Sequence, residues 1–169
     1  MEAALAEAAF MPGLEKNAGV IKLASYAPLF NRIGHSQWKP DMIWFDDHEV
    51  YLTPNYYVQK LYANHVGDHT LQLNGQDETL RKEGIYVTAS ETKEGKLILK
   101  AVNTTDDAFL LPVEGADGQP VAGAAKIWVL ETAGEKPADK PEPSKVAECA
   151  LELNGSIRLA PKSFTVLEV

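Results

Sequence analysis

The chain has 169 residues, 45% hydrophobic and 24% charged, which is ordinary for a globular protein and enough for one domain with a real core or one domain plus a piece of another. A formal net charge of −8 repels nucleic acid and anionic membrane, so neither is expected as a partner, while neutral substrates such as sugars are compatible with it. The single cysteine, Cys149, rules out an internal disulfide, and no apolar run approaches the length of a membrane span.

Residues 2–16, EAALAEAAFMPGLEK, are predicted to form a helix rich in alanine. Ala4, Leu5, Ala8, Ala9, Phe10 and Met11 cover most of its circumference, so it is expected to be buried against something large. Pro12 and Gly13 are expected to break or kink its end. Val20 to Ala27 is β-branched and apolar with Lys22 as its one charge, the pattern of a short strand. Helix, turn and strand together look like one αβ unit of a parallel α/β fold. Residues 31–41 are expected to be a loop, Met42 to Phe45 a short apolar strand, and Asp46, Asp47, His48 and Glu49 a charged turn. Thr53 is a good helix N-cap with Pro54 at the first helical position. Tyr57, Val58, Leu61, Tyr62 and His65 then recur at helical spacing through residue 66, and Gly67 supplies a stop.

Beyond Asp68 the pattern changes to strands and turns. His69–Leu73 leads to an Asn74-Gly75 turn, Gly84–Ser90 and Lys96–Asn103 form a hairpin, and Phe109–Val113 and Val121–Glu131 follow. Residues 133–145, rich in Pro, Lys and Glu, are an exposed loop. Lys145–Leu153, Ser156–Leu159 and Ser163–Val169 are the last strands. Seven or eight short strands at roughly ten-residue spacing indicate a β-sandwich or jelly roll. The last strand is apolar on both parities and is therefore expected to be central. The expected class is mainly β: a jelly-roll sandwich over residues 69–169, preceded over residues 1–68 by the α/β segment.

The residues offer little complete chemistry. The acids at 46, 47 and 49 with His48 are better explained as a solvated turn, with acids favoured ahead of a helix N-terminus, than as a metal or acid–base site. The four histidines lack zinc-ligand spacing. Cys149, in VAECALEL, is expected to be a buried small hydrophobe. Asn103-Thr104-Thr105 and Asn154-Gly155-Ser156 match the glycosylation sequon, which matters only in a eukaryotic secretory setting. Trp38, in a loop, is the better candidate for a sugar-stacking platform, and Tyr57 and Tyr62 for core. A glycosidase needs two carboxylates flanking the scissile bond, and no such pair is visible.

Four stretches in order, EAAFMPGLEKN, VIKLASYAPLF, WKPDMIWFDD and TPNYYVQKLYANHVGD, together with the closing APKSFTVLEV, resemble the C-terminal half of the family 51 glycoside hydrolases, the α-L-arabinofuranosidases. The resemblance implies a parent with a (β/α)8 barrel and a C-terminal jelly roll. That parent removes terminal α-L-arabinofuranosyl groups from arabinan and arabinoxylan with retention of configuration, using two glutamates that lie upstream of this chain. It implies that helix 2–16, strand Val20–Ala27 and helix 54–66 are the last barrel elements, and that neither Glu2 nor Glu7 replaces a missing glutamate. By position in an intact barrel, Ser25, Tyr26, Asn31 and Trp38 would line the sugar pocket. No cofactor, no metal and no catalytic residue within the chain is implied. The expected partners are an arabinose-containing polysaccharide or oligosaccharide and the N-terminal barrel; self-association is left open. Export to the outside or the periplasm is favoured for the parent over the cytoplasm, although Met1 is followed by acid and alanine and no signal peptide is read. The alternative is a non-catalytic carbohydrate-binding or structural accessory sandwich.

Overall fold

A computed structural model describes residues 1–39, 41–73, 77–134 and 138–169. The expected Asn74-Gly75 turn lies outside the described residues. Helix α1 (Glu2–Lys16) is followed by three short strands, β1 (Phe30–Arg32), β2 (Ile43–Phe45) and β3 (Val50–Leu52), and by helix α2 (Pro54–Asn64). Then come β4 (His69–Leu71), helix α3 (Asp77–Lys82), β5 (Ile85–Glu91), β6 (Leu97–Asn103), β7 (Phe109–Pro112), β8 (Ala122–Thr132), β9 (Ser144–Asn154), β10 (Ser156–Leu159) and β11 (Ser163–Glu168).

Strands β4-β5-β6-β11-β8-β9 form one antiparallel six-stranded sheet, and β10 and β7 pair into a two-stranded ribbon. The sheet is covered on both faces, which is why its strands are apolar on both parities. Ile85, Val87, Leu99, Ile127 and Leu167 point to the side where Leu111, Ile157 and Leu159 of the ribbon close a sandwich core. Ile98, Val102, Leu130, Phe164 and Val166 point to the other side and pack with Ala4, Leu5 and Ala8 of α1 and Val58, Leu61 and Tyr62 of α2. The last strand is central, hydrogen-bonded to β6 on one side and β8 on the other. The chain is mainly β.

Helix α1 does not break at Pro12; it continues to Lys16. Proline removes one helical N–H and frees the carbonyl four residues earlier, that of Ala8. The Tyr62 hydroxyl donates to this carbonyl at 3.0 Å and takes the place of the missing donor. Tyr62→Phe is therefore expected to lose about 1–3 kcal/mol, the cost of a buried acceptor left unpaired. Urea melts of the two proteins measure it; an unchanged midpoint would contradict this role.

Val20–Ala27, predicted as a strand, is not one. Residues 21–26 run without a β-ladder, and Val20 and Leu23 are 85% and 88% exposed. A parallel strand needs hydrogen-bonded neighbours, and the described residues supply none to this segment. Two short strands, β1 and β3, occur where a loop and a helix entry were expected. The charged turn at 46–49 consequently joins β2 to β3 and does not sit at the α2 N-terminus. Asp46 Oδ1 builds it by accepting the backbone N–H groups of His48 (2.8 Å) and Glu49 (2.9 Å), and these two bonds first of all hold the Asp46 carboxyl below its ordinary range.

Helix α2 starts as expected: the Thr53 hydroxyl accepts from the Tyr56 N–H at 3.3 Å and donates to the Met42 carbonyl at 2.7 Å. It ends at Asn64, before Gly67. Gly67 is instead the point where the chain crosses β5, and a Cβ there would lie 2.5 Å from Ser90 Cβ. Cys149 is exposed, not buried, because it sits midway along β9, the edge strand, with exposed Glu148 and Ala150 on either side. Asn103 is fully buried, and its amide donates to the carbonyls of Asp107 (2.8 Å) and Ala160 (3.0 Å), so this sequon is structural.

Candidate functional site

The polar residues of the first half converge between the small β1-β2-β3 sheet and the N-terminal end of α2. β1 and β2 are parallel with Asn31 opposite Trp44, and β3 runs antiparallel to β2. Alternation turns Asn31 and Trp44 inward, where they are buried, and leaves Phe30 and Arg32 outside. The Trp44 indole N–H donates to the Asp41 carbonyl at 3.0 Å, closing the loop between the two strands, and the Lys39 ammonium lies 5.3 Å from the Trp44 ring centroid. Asp41 is itself buried.

From α1, the Glu7 carboxylate reaches this layer and accepts hydrogen bonds from the amides of Asn55 and Gln59 on α2. Burial raises its pKa, and the two amides oppose that shift only in part. Both carboxylate oxygens are engaged in holding α1 to α2, which leaves no free base. Since the folded chain holds the Glu7 proton more tightly than the unfolded chain does, this group favours the fold most below pH 4.5. Its contribution is lost as pH rises through the raised pKa. Melts from pH 4 to 7 are expected to show wild type losing stability relative to Glu7→Gln as pH rises; parallel curves would contradict this.

Tyr26 is half-buried beside the same layer. Its phenol is pushed up by burial first and then by the charges of Glu7 and Asp41. Of the four residues singled out from sequence, the structure buries Asn31 opposite Trp44 and leaves Tyr26 half-buried. It leaves Ser25 exposed and Trp38 64% exposed on the loop surface. The amide nitrogen of Asn31 is buried without a hydrogen-bond partner among the described residues.

Next to this layer a cleft of about 220 Å³ is lined by Asp41, Trp44, Thr53 and Asn55 and, from the loop between β8 and β9, by Lys140 and Glu142. Lys140 bridges to the hydroxyl of Tyr51 and lies 4.4 Å from that ring's centroid. An aromatic wall with amide, carboxylate and ammonium groups suits a polyhydroxylated ligand. Asp41, Asn55 and Lys140 are absent from the residues picked by sequence. Lys140 is brought in from the other half of the chain by a loop whose composition marks only exposure. Among the described residues no three His, Cys, Asp or Glu side chains gather as around a metal. Of the histidines, His65 is a core residue, its Nδ1 2.7 Å from Glu168 Oε1 and its ring centroid 4.3 Å from that of Trp128.

The family model described as "Alpha-L-arabinofuranosidase C-terminal domain" matches residues 1–167. The chain belongs to this family. Among curated relatives, α-L-arabinofuranosidase 1 of Arabidopsis thaliana is 34% identical over 99% of this chain and 26% of its own length. α-L-Arabinofuranosidase A of Aspergillus niger is 41% identical over 80% of this chain and 23% of its own length. Among solved structures, an arabinose-bound family 51 α-L-arabinofuranosidase superposes with a TM-score of 0.78 at 26% identity, covering 98% of this chain and 27% of that one. The arabinofuranosidase of Thermotoga maritima, solved as an arabinose complex, shares the fold with a TM-score of 0.71 at 19% identity, over 98% of this chain and 38% of that one. The chain therefore spans about a quarter of the length of these two curated arabinofuranosidases.

Proposed function

We propose that this chain is the C-terminal portion of an α-L-arabinofuranosidase, a retaining glycosidase that removes terminal α-L-arabinofuranosyl residues from arabinan or arabinoxylan. The observation that carries this reading is the end-to-end match of the chain to one quarter of such enzymes. Residues 1–68 then supply the last elements of a (β/α)8 barrel and residues 69–169 an accessory β-sandwich. The partner is the barrel's N-terminal part. Support comes from the apolar side chains left in solvent along the first fifty residues, Phe10, Val20, Leu23, Phe30 and Val50, which in a barrel find neighbours. A (β/α)8 barrel places its site at the C-terminal ends of its strands. In such a parent the end of the 20–27 segment and β1 face the sugar, so Tyr26 and the unused Asn31 amide are the pocket-lining residues best supported here, ahead of Ser25 and Trp38.

The catalytic glutamates belong to the upstream barrel in this reading. Purified, this chain is expected to release no arabinose from a chromogenic arabinofuranoside, while a polypeptide extended upstream through a barrel releases it. Release by the chain alone would overturn the proposal. A second reading, sugar binding without catalysis, draws on exposed Trp38. It requires calorimetric binding of arabino-oligosaccharides that disappears in Trp38→Ala.

A further inference from the structure

The six-stranded sheet ends in two edges that differ. β4, at one end, is three residues long, short enough to blunt pairing with another chain. β9, at the other, runs for 11 residues, Ser144–Asn154, and pairs with β8 along its whole length without a bulge. Among the described residues it pairs with β8 alone. The bonds that flank this ladder fix which backbone groups of β9 are engaged. The Ala133 N–H donates to the Pro143 carbonyl and the Gly155 N–H to the Val121 carbonyl, both at 2.8 Å. Backbone direction alternates along a strand, so the odd-numbered residues of β9 turn their N–H and C=O groups toward β8. Those of Ser144, Val146, Glu148, Ala150, Glu152 and Asn154 face outward. No proline and no lysine stands in this outward row, although residues of that kind commonly protect an edge.

Antiparallel pairing of β9 with β9 of a second copy about a two-fold axis is self-complementary and joins two sheets into one. Only registers that set outward-facing residues against each other can bond, so the register moves in steps of two residues. Centred on Cys149, the middle residue of the strand, the two strands overlap from end to end. Glu148 then faces Ala150 of the second copy, Glu152 faces Val146 and Lys145 faces Leu153, so no like charges stand opposite each other. One step either way centres the pair on Glu148 or on Ala150. The first sets Glu148 against Glu148 and the second sets Glu148 against Glu152, and like charges directly opposite destabilise a strand pair. Further steps lose overlap. In the favoured register Glu148 brings its own counter-charge, Lys126 of β8, at 3.8 Å. Cys149 falls on the axis in a non-hydrogen-bonded pair, whose Cα atoms lie about 4.5 Å apart and which a small exposed side chain suits. We propose that β9 is a self-pairing edge, through which two copies of this chain dimerise in the register centred on Cys149.

This inference does not rest on the parent enzyme, and it is tested on the full 169-residue chain. Under reducing conditions, sedimentation is expected to show a concentration-dependent dimer of the 18.5 kDa chain. Copper phenanthroline, with dissolved dioxygen as the electron acceptor, then oxidises the two facing thiols to a disulfide, which a Cα separation of about 4.4–6.8 Å permits. The dimer is expected to become covalent. Cys149→Ser with Ala147→Cys leaves the two thiols about 14 Å apart along the strands. That protein is expected to keep the dimer and lose the cross-link. Ala150→Pro removes an outward N–H and none that β8 uses, so it is expected to fold and to sediment as a monomer. Equal cross-linking at positions 149 and 147 overturns the proposal, since it marks association through another surface, such as exposed Phe10 and Val20. So does a wild-type chain that stays monomeric, or a folded Ala150→Pro protein that still dimerises. Should Ala150→Pro not fold, the comparison of the two cysteine positions decides alone.

Discussion

Phe164→Ala is expected to lose about 4 kcal/mol, the upper part of the range for emptying a well-packed aromatic site. Phe164 is fully buried on β11, the strand between β6 and β8, and its ring stacks on Tyr62 of α2 with centroids 5.1 Å apart. Its neighbours in the core come from both helices and three strands, so no single element can move in to fill the void. Urea denaturation measures the loss. A change below about 1.5 kcal/mol, the scale of a conservative swap, would mean that the helices do not seat on the sheet as described.

Glu15→Ala is expected to cost about 3–5 kcal/mol, the price of leaving a buried charge without its partner. Lys100 carries that charge and is 1% exposed, whereas Glu15 is 22% exposed and tolerates the loss of its partner far better. The asymmetry is the informative part. Lys100→Met, which removes the more deeply buried charge and keeps the volume, is expected to cost less than Glu15→Ala, although it strands a Glu15 carboxylate whose Oε2 is buried without a hydrogen-bond partner among the described residues. Equal losses in the two variants would contradict the assignment of the buried, unforgiving charge to Lys100.

Where the sequence was sufficient, the determining contacts were local. Asn103 and Ile85 pair in a hairpin whose alternation is visible in GIYVTAS and KLILKAVN, and SFTVLEV declares a strand covered on both faces. Thr53 and Pro54 announce α2 without help from elsewhere. Where it was insufficient, the deciding partner was remote. Pro12 reads as a breaker, because the hydroxyl that compensates for it, on Tyr62, lies fifty residues away in the chain. Val20–Ala27 reads as a strand, but a strand exists only with neighbours. Helix α3 is not among the expected elements although its charges are legible: Asp77–Arg81 and Glu78–Lys82 are four apart and both pair. The same division holds at the candidate site. Tyr26 and Asn31 come from the resemblance that neighbouring stretches carry, whereas Asp41 and Lys140 line one cleft, and Glu7 reaches Asn55, only through folding.

We propose that this chain is one part of a longer hydrolase, to which it contributes the closing elements of a barrel and an accessory sandwich. The most direct measurement is the size of the native polypeptide, read by immunoblot of source cells with antibody raised to this chain. A band larger by at least a barrel's worth of residues, about 250, is expected. A band at the size of the 169-residue chain would contradict it and leave a stand-alone binding or accessory protein in its place.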